Sequence, residues 1–178
     1  MKNINYYEQR DIKNRRKMSK YLETLPDYCR DFIIGIENNT SSLTRYNYAM
    51  DLYVFFNFLE KSIFHKKAIE ITLQDINTIK SQQIEQYLSD LSSYMIDDNL
   101  YRNTERGKAR KLASLRSFFK YLYNHDCIDG NVASKISTPK LHNKEIIRLE
   151  RDEVKRLMNA IENPCEFSQR QKEYNKNT

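Results

Sequence analysis

The chain has 178 residues, enough for one domain of ordinary size or for a small domain and part of another. Its net charge of +6 and its pI of about 9.1 suit polyanionic partners. The sequence shows no apolar run of membrane-span length and no signal-peptide core, and its three cysteines lie far apart, which argues against a disulfide scaffold. Only three Gly and three Pro favour a helical protein. The odd number of widely spaced cysteines favours a reducing compartment, so we expect a cytoplasmic protein.

The first third of the chain predicts two helices after a basic start. Residues 1–24 are polar and basic, which predicts either a frayed helix or a flexible arm, and the adjacent Arg15, Arg16 and Lys17 could contact DNA or simply be solvated. Pro26 suits the start of a short helix that ends near Ile36.

A long helix is predicted from Ser41 or Ser42 to about Lys61. Its inner stripe has spacings of three and four residues and consists of Thr44, Tyr48, Leu52, Phe55 and Leu59. The other side is also mostly apolar, with Leu43, Tyr46, Met50, Tyr53 and Val54. This helix is therefore either central in a bundle or covered by a partner.

Helix-breaking residues and the periodicity of apolar residues predict the remaining elements. A polar connection around Thr72, Gln74 and Asp75 precedes a helix over about 81–95, and residues 97–99 form a loop. A basic helix follows over 102–123, then a turn at Gly130 and a short helical turn over 132–136. A last helix turns Val154, Leu157, Met158 and Ile161 inward, and residues 165–178 have no apolar face.

The predicted fold class is all-α, a compact bundle of about four to five helices followed by a linker and one further helix. We expect a basic arm or helix over 1–24, a DNA-binding domain over 25–137, a linker over 138–148 and the start of another domain over 149–178.

The basic helix carries the main functional signal. Residues 102–123 contain seven Lys or Arg against one acid, Glu105. Apolar side chains gather on one side, and cations interleaved with Ala109, Ala113 and Ser117 on the other. Solvated faces usually mix charges, because like pairs four residues apart repel. Nucleic-acid contact is therefore favoured over a merely solubilising face.

The candidate DNA-binding residues fall in three places. The start of the long helix offers free amides together with Thr44 and Arg45 for a phosphate. Lys140 and Lys144 could follow the DNA backbone along the linker. The basic helix contributes Arg106, Lys108, Arg110, Arg116 and Lys120.

Other kinds of site are poorly supported. The run His125-Asp126-Cys127 has no second ligand pair at metal-binding spacing, and no glycine-rich phosphate loop is visible. The aromatic residues from Tyr53 to Phe58 have helical spacing and are more typical of a core than of a base-stacking platform. We expect no metal and no other cofactor.

Several motifs resemble the tyrosine recombinase (phage-type integrase, Xer-like) family. The N-terminal core-binding, SAM-like domain of that family has a pattern S-x-x-T-x-x-x-Y-x-x-D-L-x-x-F-x-x-F-L, which residues 41–59 match, and residues 110–122 resemble its last long helix. Ile128, Asn131, Ala133, Ile136, Pro139 and Lys140 resemble the exit into the linker, with Val132 replacing the usual Pro. Residues 149–158 resemble the first helix of the catalytic domain, with Glu150 replacing the usual capping residue.

This resemblance implies a helical domain that clamps one side of duplex DNA while a catalytic domain closes from the other. It also implies cleavage and rejoining through a tyrosine–DNA linkage without metal or ATP, and self-association of protomers as a tetramer on DNA. The family's G-x-R and H-x-x-R motifs are not recognisable here, and no Tyr has the nucleophile's context, so we assign no catalytic residues. We expect a piece of an enzyme that stops near the start of its catalytic core.

Two alternatives remain open. The chain could be a free-standing helical DNA-binding regulator that never had a catalytic half. It could also be a helical protein-interaction module that uses the second face of helix 41–61.

Overall fold

A computed structural model of the protein describes residues 5–96, 98–140, 148 and 150–162. Within them lie seven α-helices: α1 (Tyr6–Leu22), α2 (Asp27–Gly35), α3 (Ser42–Phe58), α4 (Leu73–Thr78), α5 (Ser81–Asp90), α6 (Glu105–Asn124) and α7 (Arg151–Glu162). Two short antiparallel strands, β1 (Tyr94–Ile96) and β2 (Asn99–Tyr101), separate α5 from α6. The prediction of a helical fold is confirmed. None of the described helices is long and apolar enough to cross a membrane.

The chain divides into two units, residues 1–141 and 142–178. The first holds α1 to α6, one or two helices more than the bundle of four to five predicted from the sequence. One addition is α1, which the sequence left open as a helix or an arm. The other is the six-residue α4, which we predicted as a polar connection.

Reciprocal side-chain caps begin α1 and α4. In α1, Asn5 Oδ1 accepts the N–H of Glu8 at 2.9 Å, while the Glu8 carboxylate accepts the N–H of Asn5 at 3.1 Å. The same reciprocal pair, formed by Thr72 and Asp75, begins α4. Each pair satisfies two backbone donors that have no partner inside the helix.

Helix α3 is the centre of the first unit. Its inner side packs on α2 and α6 through aromatic rings, with Phe56 6.2 Å from Tyr28 of α2 and Phe55 6.3 Å from Phe119 of α6 between ring centroids. Its second side is covered by α1, where the Tyr21 ring lies 5.1 Å from Tyr53 and 6.1 Å from Tyr46. An apolar surface all round is what a central helix requires.

Polar contacts fix α1 against the start of α3. Ser42 donates to Asp11 Oδ1 at 2.6 Å and accepts a hydrogen bond from the buried Asn14 side chain at 3.1 Å. Residues 6–22 are therefore an integral helix of this unit rather than a flexible arm.

Two other elements differ from the prediction. Helix α5 ends at Asp90 rather than near Met95, because β1 and β2 form a hairpin in which Tyr94 is paired with Tyr101. Helix α3 continues into a wider π-helical segment, Leu59–Phe64, which ends at His65 in the left-handed conformation, with φ of 52°.

Among the described residues of the second unit, α7 presents an apolar stripe. Val154, Leu157 and Met158 are 43%, 52% and 52% exposed, although the sequence predicted them to face inward. The side chain of Ile161 and residues 165–178 lie outside the described residues. The boundaries predicted for the linker and the following domain stay a prediction.

Candidate nucleic-acid interface

Helix α6 presents an exposed face with cations at both ends and small residues between them. Thr104 caps its start by accepting the N–H of Gly107. Arg106 and Lys120 are exposed, form no ion pair with any described residue, and lie about 21 Å apart along the axis at 1.5 Å per residue. Ala113 between them is exposed and Ser117 is half-buried. This α6 face is the cationic face that the sequence predicted.

Arg110 lies on the same face but is held by a buried carboxylate. Its two terminal nitrogens each donate to Asp51 of α3 at 2.7 Å, which is a bidentate ion pair. The Asp51 side chain is 0% exposed, whereas that of Arg110 is 42% exposed. The guanidinium is therefore fixed on its inner edge and accessible on its outer edge.

Lys111 and Ser114 complete the environment of Asp51. Lys111 donates to Asp51 at 3.0 Å and Ser114 donates to it at 2.6 Å. The Lys111 side chain is only 3% exposed, so its charge balances that of Asp51 and does not face solvent. Sequence reasoning missed this cluster.

Arg116 points to the segment that follows α6. It donates to the backbone carbonyls of Ala133 and Ile136 and, at 3.0 Å, to the hydroxyl of Thr138. Its guanidinium holds this exit segment against the helix. The expectation that Arg116 contacts DNA gains no support from this placement.

At the start of α3, the Thr44 amide and the Thr44 and Arg45 side chains already have partners. Ser41 accepts the N–H of Thr44 at 3.1 Å, and the two hydroxyls lie 2.9 Å apart. Arg45 donates to the carbonyls of Glu37 and Thr40 and to the Glu37 carboxylate at 3.0 Å. Because the Arg45 side chain is only 7% exposed, a phosphate cannot reach it without rearrangement.

The other predicted contacts are scattered. Lys108 donates to Ser92 at 2.6 Å, and Lys140 is exposed. Lys144 lies outside the described residues. On α1, Arg15 pairs with Glu37 at 3.3 Å and the Lys17 ammonium lies 5.7 Å from the centre of the Tyr46 ring. The structure thus gathers Arg106, Arg110 and Lys120 on one face, while Lys108 is turned to Ser92.

The alternative of a metal site at His125-Asp126-Cys127 finds no geometric support. Among the described residues, no three His, Cys, Asp or Glu side chains come together as a metal-binding group. His125 Nδ1 lies 2.9 Å from the Tyr121 carbonyl, within the last turn of α6. These residues end a helix.

Comparison with known proteins agrees with the helical core and the motif order. The profile described as "Phage integrase, N-terminal SAM-like domain" matches residues 31–126, from within α2 to just past α6. The chain belongs to this family. The sequence resemblance is confirmed, and the segment that carries it includes the α6 face and the Asp51 cluster.

Curated relatives are tyrosine recombinases. XerC of Caldanaerobacter subterraneus subsp. tengcongensis is 34% identical over 162 residues, which are 84% of this chain and 45% of that protein. XerC of Leptospira interrogans serovar copenhageni is 34% identical over 70% of this chain and 35% of that protein. XerC of Syntrophus aciditrophicus is 32% identical, with shares of 72% and 39%. The chain thus spans less than half the length of these relatives. No solved structure gives a significant match.

Proposed function

We propose that this chain binds duplex DNA as the core-binding domain of a site-specific tyrosine recombinase. It holds one side of the duplex in the cytoplasm, while a catalytic domain not recognisable in this sequence cleaves and rejoins strands. In the longer protein, protomers associate on DNA. The observation that carries the proposal is the α6 face, where exposed cations flank the exposed Ala113 and the half-buried Ser117.

The shape and charge of the α6 face suit a phosphate backbone. Ala113 and Ser117 let the helix axis approach the DNA closely, because neither side chain reaches far from the helix. Arg106 and Lys120 extend toward phosphates on either side of that contact. Arg110 arrives with its guanidinium already oriented by Asp51, so less side-chain freedom is lost on binding than for a free arginine.

The protein-interaction alternative is less well supported by the packing. It requires the second side of α3, and the Tyr21 ring of α1 covers Tyr46 and Tyr53 on that side. A free-standing DNA-binding regulator would use the same α6 face. Whether the reading frame of the gene continues past residue 178 into a catalytic sequence would separate the two DNA-binding functions.

The test is duplex binding by single variants of the α6 face. Arg106→Ala and Lys120→Ala should each weaken binding and reduce the slope of log affinity against log salt by about one unit, because each removes one phosphate contact. Fluorescence anisotropy with a labelled duplex at several salt concentrations measures both quantities. Lys67→Ala, an exposed cation outside this face, is the matched control and should leave the slope unchanged.

Circular dichroism checks that each variant keeps its helices. If both α6 variants bind like the parent while remaining folded, the face only solvates the helix and the proposal is wrong. An equal loss in the Lys67→Ala control would show that net charge, rather than this face, drives binding.

A further inference from the structure

A groove of about 420 Å³ opens beside the start of α6. Its walls come from the end of α1, the middle of α3, the β1–β2 hairpin and the first turns of α6. The cations that line it are Lys20, Arg102, Arg110 and Lys111, and no carboxylate among the described residues lines it. The groove thus suits an anion.

Tyrosines supply the rest of its chemistry. Tyr94 and Tyr101 stack across the hairpin with ring centroids 5.5 Å apart and 22° between their planes, and Tyr101 is 46% exposed. Tyr21 lines the opposite wall on α1. Tyrosine hydroxyls are protonated at neutral pH and can donate hydrogen bonds, and burial raises the pKa of both Tyr21 and Tyr94 further above that range.

The charge in the groove has a fixed and a mobile part. Lys111 is buried and forms an ion pair with Asp51, so its charge is not available to a ligand. Arg110 also forms an ion pair with Asp51, but its side chain remains 42% exposed. Lys20 and Arg102 are exposed and form no ion pair with a described residue. An anchored guanidinium with two mobile cations can follow successive phosphates of one strand.

The size of the groove favours an unpaired DNA strand over a duplex as its ligand. Its volume is that of a small-molecule site, enough for about one or two nucleotides and far too small for a duplex. Exposed aromatic rings beside cations are how proteins bind unpaired nucleotides without reading their sequence.

We propose that this groove binds unpaired nucleotides of single-stranded DNA, with phosphates on Lys20, Arg102 and Arg110 and a base stacked on Tyr101. This proposal rests on the proposed function in one respect: it assumes that the α6 face holds a duplex beside the groove. It adds a second DNA-binding site, which shares Arg110 with the α6 face and otherwise uses α1, the hairpin and Arg102.

The experiment compares a blunt duplex with the same duplex carrying a short oligo-dT tail. For each protein, the ratio of the two dissociation constants gives the contribution of the tail. In the parent, the tail should improve affinity about tenfold, the range expected for one stacked base with its phosphate. Tyr101→Ala and Lys20→Ala should each remove most of this gain while leaving blunt-duplex binding nearly unchanged.

Matched controls lie outside the groove. Tyr123→Ala removes an exposed tyrosine of α6, and Lys67→Ala removes an exposed cation, so both should keep the full gain. No gain in the parent, or a gain that survives both groove variants, would overturn the groove proposal and leave duplex binding intact. A gain lost in the groove variants while the blunt duplex is not bound would support the groove and reject the proposed function.

Discussion

At the residue scale, the structure depends on a buried carboxylate with more than one cation. Asp51 is 0% exposed and accepts hydrogen bonds from Arg110, Lys111 and Ser114. Arg110 keeps its outer edge in solvent, while Lys111 does not, with 3% exposure. Removing the acid and removing one base therefore have unequal costs, because only the first leaves a buried charge without a partner.

The prediction compares two variants of this cluster. Asp51→Ala should lower the free energy of unfolding by about 3–5 kcal/mol, because the Lys111 ammonium would stay buried without a counter-charge. Lys111→Met should cost less than about 2 kcal/mol, since Arg110 still neutralises Asp51 and Met refills most of the volume. Urea unfolding followed by circular dichroism measures both. Equal losses would contradict this account of the charge balance.

Part of the Asp51 cluster could have been predicted from the sequence. Lys111 lies on the same helical stripe as Leu115, Phe118 and Leu122, and a cation in an apolar stripe needs a buried acid. Asp51 lies next to Leu52 on the inner side of α3 and is such an acid. What the sequence could not supply was their contact, because the angular position of one helix against another is set by packing. The hydrogen bonds from Arg116 to residues 133–138 could not be predicted for the same reason.

At the element scale, helices were predictable and the hairpin was not. Helices α2, α3 and α6 each combine a stop or start signal with an apolar stripe that the core then buries. The hairpin has no buried alternation, since Met95, Leu100 and Tyr101 are half exposed, so only its Asp-Asp-Asn turn signalled it. For α4, the Thr72-x-x-Asp75 spacing was a capping signal that we interpreted as a connection.

The cap of α4 makes a testable contribution to pH dependence. The Lys66 ammonium, which donates to the Asp75 carboxylate, together with hydrogen bonds from Thr72, lowers the pKa of Asp75 from its ordinary value of 3.8. A lowered pKa in the folded state means that the carboxylate stabilises the fold above about pH 4. This contribution is lost as the pH falls through the lowered value.

Asp75→Asn should therefore be less stable than the parent at pH 6, with the difference shrinking toward pH 3. Lys66→Met removes the main cause of the lowered pKa of Asp75. The free energy of unfolding of this variant should therefore fall less between pH 6 and pH 3 than that of the parent. Urea unfolding at several pH values gives the free energies. A difference between parent and Asp75→Asn that stays constant from pH 6 to pH 3 would refute this role.

At the scale of the whole molecule, the proposal separates DNA binding from strand cleavage. The chain spans 45% of the Caldanaerobacter relative and 35% of the Leptospira relative. Its sequence offers no recognisable arginine and histidine cluster to stabilise a pentacoordinate phosphate. We therefore propose, as part of the same function, that this chain binds DNA without forming a covalent linkage to it.

The corresponding prediction uses a nicked suicide duplex, which traps a tyrosine–DNA adduct as a band that survives denaturation. We expect salt-sensitive binding of this duplex and no adduct band. A catalytically competent tyrosine recombinase on the same duplex is the positive control. An adduct that disappears when one tyrosine of this chain is changed to Phe would show that the chain itself cleaves the strand through that tyrosine.

Arg116 gives the first unit a mechanical property. Its bonds to Ala133, Ile136 and Thr138 fix the direction in which the backbone leaves α6. The same helix carries the cations proposed to bind the duplex. Helix α6 and residues 133–138 should therefore move together. Rotating α6 in the groove of its target would carry residues 133–138 through the same angle, and the strain of a misplaced exit segment would oppose that rotation.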